Sequence, residues 1–140
     1  MFSIDDLKSI NMLSSLSDSM LENLATITSI NEYRAGDYIF NEGDDAKSLY
    51  SVIDGKVGLD IEKNSSTRIL IDNITNGMML GFSALVDTEE KSYTTSDKAL
   101  NDTKIFTWKR ERNFAMGIVL VRLCDEIFSR YFQHGLFDKF

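Results

Sequence analysis

The chain contains no proline, one cysteine and one histidine in its 140 residues. Because Cys124 has no second cysteine to pair with, an internal disulfide is excluded and nothing requires an oxidising compartment. Cys124 and His134 lie ten residues apart on one predicted helix, where they point in different directions. They are too few for a metal cluster or for a Cys–His catalytic pair with an orienting group. We therefore predict no catalytic residue, no metal site and no enzymatic activity.

Long apolar runs are missing as well. No stretch approaches the roughly 20 apolar residues that a membrane-spanning helix needs. The first ten residues, MFSIDDLKSI, lack the basic region and the apolar run of a signal peptide. We expect a cytoplasmic protein that makes no contact with a membrane.

Positive charge is scarce, and the formal net charge is −7. Up to Trp108 the chain has 9 basic and 18 acidic residues, whereas from Lys109 onward it has 6 basic and 4 acidic residues. Surface carboxylates repel the phosphate backbone that supplies most non-specific affinity for nucleic acid. The charge therefore argues against direct binding of nucleic acid.

The chain does contain 43% hydrophobic residues, enough for the core of one domain. Residues 1–28 carry apolar positions at helical spacing, which predicts an N-terminal helical segment with Ser17 or Asp18 as the N-cap of its second part. From residue 29 to residue 109 the apolar period changes to two, which is typical of strands. Residues 110–140 return to a helical pattern with a wide apolar arc, which predicts C-terminal helices, one of them long.

Turn signals divide residues 29–109 into short strands. Because proline is absent, the turns depend on glycine, aspartate and asparagine, and the Asp54-Gly55 pair favours a hairpin. The predicted strands cover residues 38–42, 49–53, 57–62, 68–72, 92–98 and 104–108. Short strands separated by frequent turns indicate an antiparallel β-roll, or jelly roll. We expect one domain of a mainly β class, flanked by the N-terminal and C-terminal helices.

The stretch GMMLGFSALVDTEEKSYTT, residues 77–95, is the candidate functional site. Gly77 and Gly81 bracket a short apolar step, a small-residue turn follows, and residues 91–95 have the pattern of a strand. Glycine lets backbone approach a ligand closely, and the first amides of a short helix are unpaired. With Lys91 returning beside it, such a turn could hold an anion. The same spacing also fits a tight loop between two strands that binds nothing.

This stretch resembles the phosphate-binding cassette of the cyclic-nucleotide-binding domain family. That family includes catabolite-activator-type regulators, protein kinase A regulatory subunits and gated channels. Gly81, Ala84 and Leu85 match the cassette. Residues 36–44 and 50–57 are similar to the opening strands of the family, in the same order and spacing, so the likeness covers roughly residues 10–110. It implies a β-roll and a regulatory role.

The resemblance also implies a set of ligand-binding residues: Gly81, Phe82, Ser83, Ala84, Leu85, Lys91, Ser92 and Tyr93. Phe82 stands where ligand-binding members carry the glutamate that grips the ribose hydroxyl, a bond worth about 1.5–3 kcal/mol. Lys91 stands where they carry the arginine that pairs with the cyclic phosphate. Lysine keeps the positive charge but lacks the planar guanidinium group, which binds a phosphate through two parallel hydrogen bonds. High-affinity binding of cyclic AMP is therefore not expected.

Two functions fit these observations. In the first, the chain is a sensor domain that binds a small anionic ligand, a cyclic nucleotide or another phosphate-bearing molecule, and signals through its C-terminal helix. In the second, it is a degenerate, ligand-free relative that acts as a dimerisation or protein-interaction module. In either case the apolar arc of residues 110–140 predicts a homodimer through that segment.

Overall fold

The computed structural model describes residues 4–10, 13–14, 16–81, 84 and 92–109. Within these ranges two short helices precede eight strands. The elements are α1 (Ile4–Lys8), α2 (Asp18–Ala25), β1 (Thr28–Tyr33), β2 (Tyr38–Phe40), β3 (Ser48–Asp54), β4 (Lys56–Asn64), β5 (Thr67–Thr75), β6 (Met79–Leu80), β7 (Ser96–Ala99) and β8 (Thr103–Lys109).

The strands form two four-stranded sheets, and every pair is antiparallel. The first sheet has the order β1-β8-β3-β6, and the second has the order β2-β7-β4-β5. The predicted mainly β class and antiparallel β-roll are confirmed. The predicted long C-terminal helix falls on residues 110–140, outside the described residues.

Two apolar layers hold the fold together. One lies between the sheets and includes Phe40, Val52, Leu59 and Ile105. The other lies on the outer face of the first sheet, which α1 and α2 cover. The predicted N-terminal helices therefore exist as elements that bury this outer face, as their apolar spacing implied. Its members are Leu7, Ile10, Leu13, Leu16, Leu21, Leu24, Leu49, Met79, Phe106 and Trp108.

Helix α2 begins at a capped end. Ser17 has an extended backbone, and its side-chain oxygen accepts a hydrogen bond from the Met20 N–H at 3.2 Å. Of the two N-cap candidates the structure selects Ser17, because Asp18 is already inside the helix. The cap satisfies one of the four amides that a helix start leaves unpaired.

The predicted hairpin at Asp54-Gly55 is wrong. β3 and β4 belong to different sheets, so this turn carries the chain from one sheet to the other. The dipeptide predicted a tight turn correctly but could not predict the partner of each strand. The Ser65-Ser66 turn does close a hairpin, since Asn64 of β4 faces Thr67 of β5.

Several strand boundaries also differ from the prediction, among them the end of β2 and the start of β7. β2 ends at Phe40 because the next residues form a turn, in which the Asn41 N–H donates to the Asp44 carboxylate at 3.1 Å. The strand predicted from Ser92 begins only at Ser96, and Ser92 forms an isolated bridge with Asp45.

Candidate functional site

The site is organised around the turn that ends β6. Gly81 has a φ of +84°, in the left-handed region that favours glycine. A Cβ atom at this position would lie 3.1 Å from the Ser48 carbonyl oxygen and 3.1 Å from the Tyr50 ring. Both the backbone conformation and the tight space therefore favour glycine here.

Ala84 completes this turn on the side toward the core. Its N–H donates to the Gly81 carbonyl at 3.1 Å, and the residue is buried among the apolar side chains between the two sheets. The Ala84 amide thus already has an acceptor. A ligand anion would have to share this N–H, which reduces what the amide can contribute to binding.

Tyr93 lies on the other side of Gly81, with only 4% of its surface exposed. Its hydroxyl donates to the Ser48 carbonyl at 2.6 Å and accepts from the Ser48 N–H at 3.0 Å. Its ring stacks on Phe40, with the ring centroids 3.7 Å apart. Burial raises the pKa of the Tyr93 phenol, and the neighbouring Tyr50 adds to this effect. The side chain of Tyr93, which is a predicted ligand-binding residue, packs inside the roll.

The backbone at Tyr93 joins the end of the cassette to the turn after β2. The Gly43 N–H donates to the Tyr93 carbonyl at 2.8 Å, and the Tyr93 N–H donates to the Asp44 carbonyl at 2.9 Å. Ser92 is exposed beside this junction and bridges to Asp45. The two turns that the sequence singled out separately are therefore neighbours in the fold.

Asp97 is a buried carboxyl that sequence reasoning missed. It pairs across the second sheet with Leu59 and Phe40, whose side chains belong to the layer between the sheets, so it faces the interior. It is 1% exposed, and the Thr95 hydroxyl donates to it at 2.5 Å. Burial raises the pKa of Asp97 to about 7, while the hydrogen bond from Thr95 lowers it and nearby Asp60 raises it further.

The signal that could have identified Asp97 is the period of two. Asp97 and Ala99 alternate in β7, Thr95 precedes the strand at the same spacing, and all three are buried. The sequence alone does not show which of the two alternating rows of residues faces inward. In the structure Ser96, which belongs to the other row, is buried as well.

A group of charged residues occupies the opposite, outer face of the second sheet. Arg68 forms an ion pair with Asp60, donates to the Ser96 hydroxyl at 2.8 Å and lies 3.7 Å from Glu42. Because the arginine is partly exposed, we expect this group to stabilise the fold only modestly. Its charge is engaged by the two carboxylates, so Arg68 is poorly suited to bind a phosphate.

Of the predicted ligand-binding residues, the structure brings together Gly81, Ala84 and Tyr93 and places Ser92 beside them. Phe82, Ser83, Leu85 and Lys91 lie outside the described residues. Two surface clefts of about 440 and 470 Å³ open elsewhere, one beside α1 and the first sheet and the other beside Arg34. Gly77, the first residue of the candidate stretch, lines the cleft beside α1, whereas Gly81, Ala84, Ser92 and Tyr93 line neither cleft.

The described ranges lack two kinds of feature. They contain no group of three or more His, Cys, Asp or Glu side chains that could hold a metal ion. They also contain no helix whose length and apolar character would let it cross a membrane.

The comparison with known families decides the assignment. The sequence profile of the cyclic nucleotide-binding domain family matches residues 30–116. The chain belongs to this family. The predicted resemblance is thereby confirmed, and with it the regulatory-domain character that the family shares. No curated protein matches the chain.

Solved structures agree on the fold. A putative cyclic nucleotide-binding protein from Geobacter metallireducens has a TM-score of 0.72 and 25% sequence identity, over 93% of this chain and 98% of that chain. A mutant regulatory subunit of a cAMP-independent protein kinase A from Trypanosoma brucei, bound to cAMP in its A site, has a TM-score of 0.76 and 21% identity, over 95% of this chain. The corresponding subunit from Trypanosoma cruzi, bound to guanosine, has a TM-score of 0.74 and 20% identity, over 95% of this chain. This chain spans about half the length of these two kinase subunits, 50% and 48%.

Proposed function

We propose that the chain is a non-enzymatic, cytoplasmic sensor domain that binds a small phosphate-bearing ligand weakly and signals through its C-terminal segment. The observation that carries the proposal is the Gly81 turn, where a glycine with a left-handed backbone lets the main chain lie open to a ligand, in a chain of this family. Lys91 supplies the positive charge for the ligand. The Ala84 amide, already bonded to Gly81, accounts for weak binding.

A cyclic-AMP-bound relative supports the choice of Lys91. The Trypanosoma brucei mutant carries an introduced alanine, an arginine seven positions later and a second alanine immediately after the arginine. This chain has Ala84, Lys91 and Ser92 at the same spacing. It therefore has the first alanine and a cation in place of the arginine, so we expect binding of phosphate with lower affinity than an arginine would give.

The guanosine-bound Trypanosoma cruzi subunit raises the competing case of an uncharged nucleoside. Lys91 favours a phosphate-bearing ligand over a nucleoside, because a cation gains little from a neutral ligand. Phe82 cannot grip a ribose hydroxyl but could stack on a flat base. We therefore expect a ligand that combines a phosphate with an aromatic base.

Calorimetry with cyclic AMP, cyclic GMP, guanosine and inorganic phosphate tests the proposal. We expect saturable binding of at least one phosphate-bearing compound, and Lys91→Ala should weaken it about tenfold or more, since a charge-assisted bond is worth about 1.5–3 kcal/mol. Lys98→Ala is the matched control, because Lys98 lies 5.7 Å from the Tyr38 ring on the outer face of the second sheet. Absence of binding across the panel would remove the proposal.

The double variant Phe82→Glu with Lys91→Arg restores both missing gripping groups. If the backbone of the cassette is intact, the double variant should bind cyclic AMP at least ten- to a hundredfold more tightly than the wild type. This factor corresponds to the roughly 1.5–3 kcal/mol of the restored bond between the glutamate and the ribose hydroxyl. Unchanged affinity would mean that the backbone frame itself no longer accepts the ligand.

The alternative is a ligand-free interaction module that dimerises through residues 110–140. The burial of Tyr93 and the internal hydrogen bond of the Ala84 amide favour it, because both are satisfied without a ligand. It predicts a dimer at micromolar concentration that Phe128→Asp or Tyr131→Asp separates. Light scattering that finds only monomer in the wild type would exclude it.

A further inference from the structure

We propose that Tyr93 is the positioning residue of the candidate site, and that its hydroxyl fixes the Gly81 turn against the start of β3. The inference rests on the proposed function for its ligand-binding consequence. Its structural part concerns Tyr93 and the residues that it contacts and can be tested without any ligand.

The first step is the pair of hydrogen bonds between the Tyr93 hydroxyl and Ser48. The Tyr93 hydroxyl uses both its donor and its acceptor on the main chain of one residue, at 2.6 and 3.0 Å. Ser48 begins β3 and pairs with Lys109, the last residue of β8. Tyr93 thus links the cassette to the main chain of Ser48 at the start of β3. This place is next to Lys109, the residue that precedes residues 110–140.

The second step is the ring. It lies between Phe40, at a centroid distance of 3.7 Å, and Gly81, whose Cβ position would be 3.4 Å from the ring edge. The Gly81 turn therefore packs against the Tyr93 ring. A tyrosine in this place fills the space behind the turn and also limits how far the turn can move.

The third step is the backbone. Tyr93 is held on both sides by hydrogen bonds with Gly43 and Asp44, at 2.8 and 2.9 Å. Lys91 is two residues before Tyr93 in the sequence, so this anchor limits the distance between the Lys91 main chain and the Gly81 turn. A phosphate bound by both would depend on that separation.

The test is Tyr93→Phe, which keeps the ring and removes both hydroxyl bonds. Amide hydrogen exchange measured by NMR should show faster exchange at Ala84 and Gly43 by about three- to tenfold, the loss expected for one net hydrogen bond. Exchange at Ile30, which lies in β1 at the far edge of the first sheet, should not change. Tyr38→Phe is the control, because it removes a phenol hydroxyl from an exposed ring.

Ligand titration then measures the effect on function. In Tyr93→Phe the affinity for cyclic AMP should fall about three- to tenfold while the affinity for guanosine changes less, because only the phosphate depends on the Lys91 separation. An equal loss for both ligands, or faster exchange at the Ser48 amide alone, would overturn the positioning role. If the wild type binds no compound of the panel, the proposed function fails, and the exchange at Ala84 and Gly43 still decides the role of Tyr93.

Discussion

The free energy of unfolding should fall as the pH rises from about 4 to about 7, because Asp97 is buried between the sheets. Burial raises the pKa of this carboxyl from its ordinary value of 3.8 to about 7. Below pH 4 the carboxyl is protonated in both the folded and the unfolded chain and has no effect on stability. Between pH 4 and pH 7 the unfolded chain releases the proton while the folded chain retains it, so unfolding becomes easier.

The magnitude follows from the size of this change. Moving a pKa from 3.8 to about 7 corresponds to about 4 kcal/mol of stability lost by pH 8. That is a large share of the roughly 5–15 kcal/mol by which small domains are stable. Asp97→Asn removes the charge at every pH and keeps an oxygen that can accept from the Thr95 hydroxyl. Its amide group must be buried, which costs about 1–3 kcal/mol at every pH.

Urea unfolding followed by circular dichroism between pH 4 and pH 8.5 measures the effect. The difference in unfolding free energy between Asp97→Asn and the wild type should shift by about 4 kcal/mol in favour of the variant across that range. Asp54→Asn, at an exposed aspartate that ends β3, is the matched control and should follow the wild type. Parallel curves for Asp97→Asn and the wild type would refute the reasoning, as would an NMR titration that places the Asp97 midpoint near pH 4.

Two further predictions concern backbone geometry. Gly81→Ala should lower the unfolding free energy by about 2–4 kcal/mol, because it strains a positive φ and places a methyl group against the Ser48 carbonyl, whereas Gly36→Ala, with a φ of +97° and open space, should cost only about 1 kcal/mol. Equal losses in thermal melts of the two variants would contradict the packing argument. Ser17→Ala should cost about 1 kcal/mol through loss of the N-cap of α2, and chemical denaturation that shows no loss would mean that the cap bond to Met20 contributes nothing.

Turns were predictable from the sequence because their causes are local. At Gly36 and Gly43 the neighbouring aspartates accept hydrogen bonds from backbone amides three residues earlier, Arg34 N–H to Asp37 at 2.9 Å and Asn41 N–H to Asp44 at 3.1 Å. Such bonds form within four residues and leave a signature in the sequence. The period of two likewise identified most strands, and the resemblance to a family identified the cassette.

Strand partners and buried polar groups were not predictable, because their causes lie far away in the sequence. The Tyr93 hydroxyl is hydrogen-bonded to Ser48, which lies 45 residues earlier in the chain. Asp97 faces inward because it pairs with Leu59. No window around Tyr93 or Asp97 contains these partners. The same reason explains the wrong hairpin at Asp54-Gly55, since the turn was local but the partner of each strand was not.

The position of Trp108 determines what an optical experiment on this protein can report. The single tryptophan of the chain is 1% exposed, and its indole N–H donates to the Thr28 hydroxyl at 2.6 Å. It belongs to the layer under the N-terminal helices, on the face of the first sheet opposite to the Gly81 turn. Its fluorescence will therefore follow the docking of α1 and α2. An emission spectrum that does not change when a ligand is added carries no information about the occupancy of the cassette.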